Sequence, residues 1–255
     1  MKSYDDSIAT WCDDRMEEIR RAARTPKEEL PSLDRIVSEH HYRFGDISQW
    51  PDDCCFIRSL NGPVSGTKEH CYLGSLAACR DLSQDGAAGK IHCVVSFCAK
   101  EMRRIRGQPE MGWNTFFRQL GIHWICLDLV DPKTKRPGVD PFCEIMGKDY
   151  LSAWTEMCVA LAKHMEGKQG GPEHGILFHC FAGINRSSAG LCAWLIFRGK
   201  VSGNESIESL LTVRPSLNQW QNRPHVLWAL RVWELDQERI FRPQILARVS
   251  EAKTG

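Results

Sequence analysis

Ten consecutive residues, His179-Cys180-Phe181-Ala182-Gly183-Ile184-Asn185-Arg186-Ser187-Ser188, combine a thiol, a glycine, a guanidinium and two hydroxyls. They follow a short apolar run and precede a longer one, so the spacing predicts a strand, a tight loop and a helix start. Such a loop presents unpaired backbone N–H groups and the positive end of a helix dipole, a setting that suits a phosphate dianion. Gly183 lets the backbone curl closely around the anion. Arg186 offers a planar fork that matches two phosphate oxygens. A free cysteine has a pKa of about 8.5, and helix N-termini and nearby cations lower it to roughly 3.5–7.5. Cys180 is therefore expected to enter the cradle as a thiolate nucleophile with no separate base.

The elements that must position this loop can be read from hydrophobic periodicity. Residues 1 to 24 form an expected amphipathic helix, with Ile8, Trp11, Cys12, Arg15, Met16 and Ile19 at helical spacing. A short helix is expected after Pro31-Ser32, with Leu33, Ile36 and Val37 on one face. Strands are expected at Cys55–Ile57, Cys71–Gly74, Ile91–Phe97, Ile122–Leu127 and Gly175–His179. Ser75–Asp81 suits a helix start, and a helix over 148–165 places Leu151, Trp154, Met157, Cys158, Leu161 and Ala162 inward. Lys100, Arg103, Arg104 and Arg106 read as a solvated helix face. Further helices are expected over 187–200, 204–213 and 222–239. Strands alternating with helices imply an α/β fold: a central, mostly parallel mixed sheet flanked by helices on both faces, with an N-terminal helical extension. The expected division is an extension over 1–50, a catalytic domain over 51–240 and a tail over 241–255.

The His-Cys-x5-Arg-Ser run resembles the phosphate-binding signature of the cysteine-based protein tyrosine phosphatases, and Cys180 to Ser187 is most similar to the dual-specificity branch. Tyr72-Leu73-Gly74-Ser75 with Ala77-Ala78 is similar to the opening strand and helix of that branch, Ile91–Phe97 to its next core strand, and Arg214-Pro215 with Asn218 to a later loop. The likeness covers roughly residues 52–238. It implies that Cys180 attacks phosphorus and that Phe181, Ala182, Gly183, Ile184, Asn185 and Arg186 hold the phosphate oxygens. It also implies that Ser187 stabilises the leaving thiolate and that His179 fixes the loop from behind. A general acid is needed as well. The resemblance puts it just beyond a strand, and Asp131, which opens a loop with Pro132, is the expected acid. Asp128 and Asp140 are the alternatives.

Composition bounds the remaining possibilities. The chain has 255 residues, a formal net charge of +1 and twelve cysteines. Near-neutral charge argues against a wholesale polyanion binder, so no nucleic-acid partner is expected. Met1–Asp14 lacks the apolar core of a signal peptide, and the longest apolar run, Leu191–Phe197, is far too short for a bilayer. The expected compartment is the cytoplasm, with the nucleus as a further possibility. Most of the cysteines are expected to be reduced and buried. Cys93 is the expected partner should Cys180 be oxidised to a disulfide. No cofactor or metal is implied, since adjacent His40 and His41 point apart. Asn204-Glu205-Ser206 reads as a helix cap rather than a glycosylation site, and Trp220 is a candidate for the pocket's border. The basic loop Lys133, Lys135 and Arg136 could recruit anionic substrates.

The expected function is a protein phosphatase acting on phosphotyrosine and phosphoserine/threonine, with a phosphorylated protein as partner. The first alternative is a phosphatase of a non-protein phosphate such as a phosphoinositide. The absence of a cation among Phe181, Ala182, Ile184 and Asn185 disfavours it. The second is a non-catalytic phosphopeptide-binding module, which the presence of both Cys180 and Arg186 disfavours.

Overall fold

The computed structural model describes residues 4–24, 56–57, 71–76, 79, 82, 91–104, 112–130, 141–166, 175–213, 220 and 223–251. The expected helix near Leu33, the loop 133–136, His40-His41, Asp131, Asp140 and the Arg214-Pro215 loop lie outside them.

Five strands make one sheet in the order β1-β2-β5-β3-β4. They are β1 (Phe56–Ile57), β2 (Cys71–Gly74), β3 (Ile91–Ser96), β4 (His123–Cys126) and β5 (Gly175–His179). The pairings β2–β5, β5–β3 and β3–β4 are parallel, and β1 joins β2 antiparallel. The sheet is mostly parallel and mixed, as its sequence pattern leads one to expect. β2, β3 and β5 are apolar runs because both faces of the sheet are covered. Alternation then divides their side chains. Leu73, Cys93, Val95, Ile176 and Phe178 face the larger core, while Tyr72, Val94 and Leu177 face the smaller one.

The smaller core is closed by α2 (Ala99–Arg104) and α3 (Trp113–Gln119). Trp113 stacks on Phe117, and Phe117 meets Trp124 of β4 with ring centroids 5.4 Å apart. Periodicity gave no warning of α3, a seven-residue helix between glycines and a tight turn.

The larger core is built by α4 (Pro141–Met165), α5 (Arg186–Trp194), α6 (Gly203–Val213) and α7 (Pro224–Leu235). On α4, Trp154, Met157, Cys158 and Leu161 are fully buried, and Leu151 and Ala162 pack against the same cluster. Helix α5 widens into a π turn over Leu195–Gly199 and stops at Lys200, whose φ of 56° is left-handed. A second π turn, Gln237–Phe241, leads into α8 (Arg242–Glu251). Residues expected to form a tail are thus largely a packed helix. Ile245 and Val249, one turn apart, are buried, and Arg248 forms a two-pronged ion pair with Glu156 of α4 at 2.9 Å.

The N-terminal helix α1 (Tyr4–Arg24) buries Ile8, Cys12 and Met16 against this same core. Trp11 of α1 donates its indole N–H to Asn204 Oδ1 at 3.1 Å and lies under the Arg231 guanidinium. Asn204 is therefore a docking acceptor and not the cap of α6. Ser202 is the cap: its Oγ accepts the Glu205 N–H, while Glu205 Oε2 accepts the Ser202 N–H at 2.7 Å.

Gly190 ties α5 to the end of β3. A Cβ there would run into the Phe97 ring, which is itself fully buried. Gly190→Ala is expected to destabilise the protein by about 1–3 kcal/mol through overpacking. Urea unfolding of the two proteins measures it; a midpoint unchanged within error would contradict this packing.

Candidate active site

The run His179–Ser188 occupies the place its pattern leads one to expect. β5 ends at His179, residues 180–185 form a loop, and α5 begins at Arg186. Gly183 has φ of 68°, and a Cβ on it would strike the Gly74 carbonyl oxygen. Glycine is needed there for both backbone conformation and close approach. The loop is tied to the ends of two neighbouring strands. Leu76 N–H donates to the Phe181 carbonyl at 3.2 Å, and Phe97 N–H donates to the His179 carbonyl at 3.0 Å. Asn185 is the N-cap of α5 without a side-chain capping bond. The first N–H groups of this helix have no carbonyl one turn earlier to bond.

Cys180 is 2% exposed, and its Sγ lies 3.3 Å from Ser187 Oγ. Arg186 is nearly as buried. Its Nη1 donates to Glu101 Oε1 at 2.6 Å, to the Leu129 carbonyl at 2.9 Å and to the Phe97 carbonyl at 3.3 Å. Its Nε is buried with no partner among the described residues. Burial alone would pull the guanidinium pKa down, but the Cys180 and Cys98 sulfurs and Glu101 together push it above its ordinary value. The arginine is charged at every working pH. A buried guanidinium donor lacking an acceptor is costly, and an anion in the loop would relieve that cost.

His179 is fully buried behind the loop. Its Nε2 lies 2.5 Å from Ser96 Oγ, and its Nδ1 lies 3.4 Å from the Cys180 carbonyl. Trp124 Nε1–H in turn donates to Ser96 Oγ at 2.7 Å. Burial pushes the imidazole pKa down to about 3, against the bond to Cys180, so the ring is neutral.

Two expectations about other residues change. Cys93 pairs with Ile176, four positions before Cys180 on β5, which is about 13 Å along a strand. That is beyond the reach of a disulfide. The sulfurs electrostatically close to Cys180 are those of Cys79 and Cys98, both pushed well up by burial first and by Cys180 second. Trp220 is fully buried in the larger core rather than at a pocket's rim. Of the acid candidates, only Asp128 lies among the described residues. Its carboxylate is paired with Lys100 Nζ at 3.0 Å and accepts the Lys100 N–H. The adjoining Leu129 carbonyl is one of the acceptors that hold Arg186. Among the described residues no three His, Cys, Asp or Glu side chains converge as a metal site. No described helix is long and apolar enough to cross a membrane.

Pattern reading brings Cys180, Arg186 and Ser187 together because they lie within eight consecutive residues. It missed Glu101, Ser96 and Trp124. The only sequence signal for them was position at or just beyond the ends of β3 and β4.

Solved structures offer a comparison. A mouse putative dual specificity phosphatase, solved with zinc tungstate, is 17% identical; the match covers 77% of this chain and 96% of that one, with a TM-score of 0.46. Human DUSP28 is 18% identical over 72% of this chain and 97% of its own, with a TM-score of 0.45. PTPMT1 is 19% identical over 69% and 98%, with a TM-score of 0.38. No family model matches the sequence, and no curated protein does. At such identities the similarity concerns the fold, and the chemistry has to come from the loop itself.

The neutral His179 has a consequence for acid stability. An unfolded histidine, with a pKa near 6.5, takes up a proton as the pH falls, whereas the buried ring refuses one until about pH 3. The unfolded state then binds more protons, so stability falls as pH drops below about 6.5, by up to about 1.4 kcal/mol per pH unit. Denaturant unfolding between pH 6.5 and 5 is expected to show a shallower slope in His179→Gln. Equal slopes in the two proteins would mean that His179 is not held neutral.

Proposed function

We propose that this chain is a phosphatase that hydrolyses phosphotyrosine and phosphoserine/threonine in proteins through a cysteinyl-phosphate intermediate. The observation that carries the reading is a buried cysteine and a buried, charged arginine on one loop at the start of α5, with the arginine's Nε lacking a partner among the described residues. The similarity in fold is in keeping with it.

In the first step the Cys180 thiolate attacks phosphorus, forming the S–P bond while the bond to the leaving oxygen breaks. The backbone N–H groups of Phe181 to Arg186 and the Arg186 guanidinium hold the three equatorial oxygens. Asp131 gives the departing oxygen its proton. In the second step water attacks phosphorus, Asp131 takes the water's proton, and the S–P bond breaks. Ser187 Oγ–H, 3.3 Å from the sulfur, donates to the returning thiolate. Asp131 is preferred over Asp128 because Asp128 is engaged by Lys100 and because the chain leaves Arg186 at Leu129, two residues before Asp131.

Turnover of a phosphotyrosine peptide, a phosphothreonine peptide and a phosphoinositide by the wild type and by Cys180→Ser tests this reading. Both peptides are expected to be hydrolysed, and Cys180→Ser is expected to be inactive on all three substrates. Activity surviving in Cys180→Ser would overturn the mechanism, and turnover of the phosphoinositide alone would overturn the protein substrate. For the acid, Asp131→Asn is expected to slow hydrolysis of the phosphothreonine peptide by about 10²–10⁴-fold, with aryl phosphates less affected. Should Asp128→Asn alone collapse that activity, the acid is Asp128.

A further inference from the structure

Three side chains from three strands form a chain of hydrogen bonds that ends on the nucleophile's own peptide. Trp124 of β4, Ser96 of β3 and His179 of β5 lie on one face of the sheet, because β4 and β5 both pair in parallel with β3. The separations are 2.7 Å from Trp124 Nε1 to Ser96 Oγ, 2.5 Å from Ser96 Oγ to His179 Nε2, and 3.4 Å from His179 Nδ1 to the Cys180 carbonyl.

The direction of every proton follows from elementary donor and acceptor chemistry. An indole nitrogen can only donate, so Ser96 Oγ accepts from Trp124. A carbonyl oxygen can only accept, so the bond to Cys180 requires a proton on His179 Nδ1. Burial keeps the imidazole neutral, with one proton to place. Nε2 is then bare and must accept, and the single hydroxyl proton of Ser96 points to it. Each group donates once toward Cys180, and aligned bonds of this kind strengthen one another. The last acceptor shares a peptide unit with the Phe181 N–H, the first donor of the phosphate loop. Drawing density toward the carbonyl makes that N–H a better donor and fixes the plane of the peptide.

We propose, on the reading of this loop as a phosphatase site, that Ser96 and Trp124 are positioning residues that set the His179 tautomer and thereby orient and polarise the Cys180–Phe181 peptide. Neither side chain touches the substrate; both act through the imidazole.

Nitrogen-15 spectra of histidine-labelled full-length protein, alongside kinetics on p-nitrophenyl phosphate, test the proposal in the wild type, Ser96→Ala, Ser96→Thr and Trp124→Phe. The wild type is expected to carry its proton on Nδ1. Ser96→Ala is expected to populate the Nε2–H tautomer and to lose about tenfold in kcat, the size of effect that one lost buried hydrogen bond produces, with KM changed less. Ser96→Thr, which keeps the hydroxyl, is expected to retain both the tautomer and kcat, whereas a packing role for Ser96 would make the larger side chain harmful. Trp124→Phe keeps a ring against Phe117, removes only the donor, and is expected to lower kcat by about threefold. It also supplies the answer should Ser96→Ala fail to fold. A wild-type proton on Nε2, or an unchanged tautomer and kcat in both Ser96→Ala and Trp124→Phe, would overturn the proposal. A wild type with the expected tautomer but no hydrolysis would overturn the phosphatase reading alone.

Discussion

The arrangement of the candidate site depends on the pairing of β3 with β5. In that register Ser96 faces His179, and the Phe97 N–H extends the ladder one step further onto the His179 carbonyl. Everything that surrounds the loop from one side follows from this. Phe97 and Leu129 supply carbonyls to Arg186, Ser96 supplies a hydroxyl to His179, and α2 starts immediately afterwards and brings Glu101 to the guanidinium. A slip of one residue would turn Ser96 to the opposite face and break these contacts together. On the other side the close approach of Gly183 to the Gly74 backbone limits where the loop can go. The loop is thus held by strand ends more than by its own side chains.

Burial and charge divide the labour inside the site. Arg186 and His179 are both out of water, yet they respond in opposite ways. The arginine stays charged because the Cys180 and Cys98 sulfurs and Glu101 outweigh its burial, and the histidine stays neutral because burial, with the Arg186 charge, outweighs its bond to Cys180. The same chain positions would lose their chemistry if these surroundings were exchanged. Cys79 and Cys98 are pushed toward the protonated thiol by burial first and by Cys180 second. They are neutral packing around the sulfur of Cys180.

The candidate loop is legible in the sequence because its parts are contiguous: a cysteine, a glycine and an arginine within seven residues need no tertiary knowledge to associate. The core strands and α4 were legible because apolar runs and 3.6-residue periodicity survive in a chain buried on both faces of its sheet. Glu101 was not, since nothing in Lys100 to Arg106 separates an arginine clamp from a solvated helix face until α2 is placed beside α5. Ser96 and Trp124 read as ordinary strand residues. Cys93 reads as a partner for Cys180 from its place on a core strand, and only the register shows how far apart the two lie. The expectation of a tail over 241–255 took no account of Ile245 and Val249, which α8 buries one turn apart. Asn204 looked like a cap because it precedes an apolar helix, while its true role required Trp11, nearly two hundred residues away, to arrive from α1.

The Glu101–Arg186 ion pair bears on which anions the loop can tell apart. The guanidinium already has a full negative charge at 2.6 Å, so its field beyond the pair is largely cancelled. A singly charged visitor such as chloride finds little net attraction there and must still give up its hydration. A dianion with several oxygens could engage the Nε, which has no partner among the described residues, together with the loop N–H groups, contacts that a spherical monoanion cannot make at once. On the proposed reading, the acidic residue beside the arginine would act as a filter, favouring an anion with the shape and valence of a phosphate over a spherical monoanion.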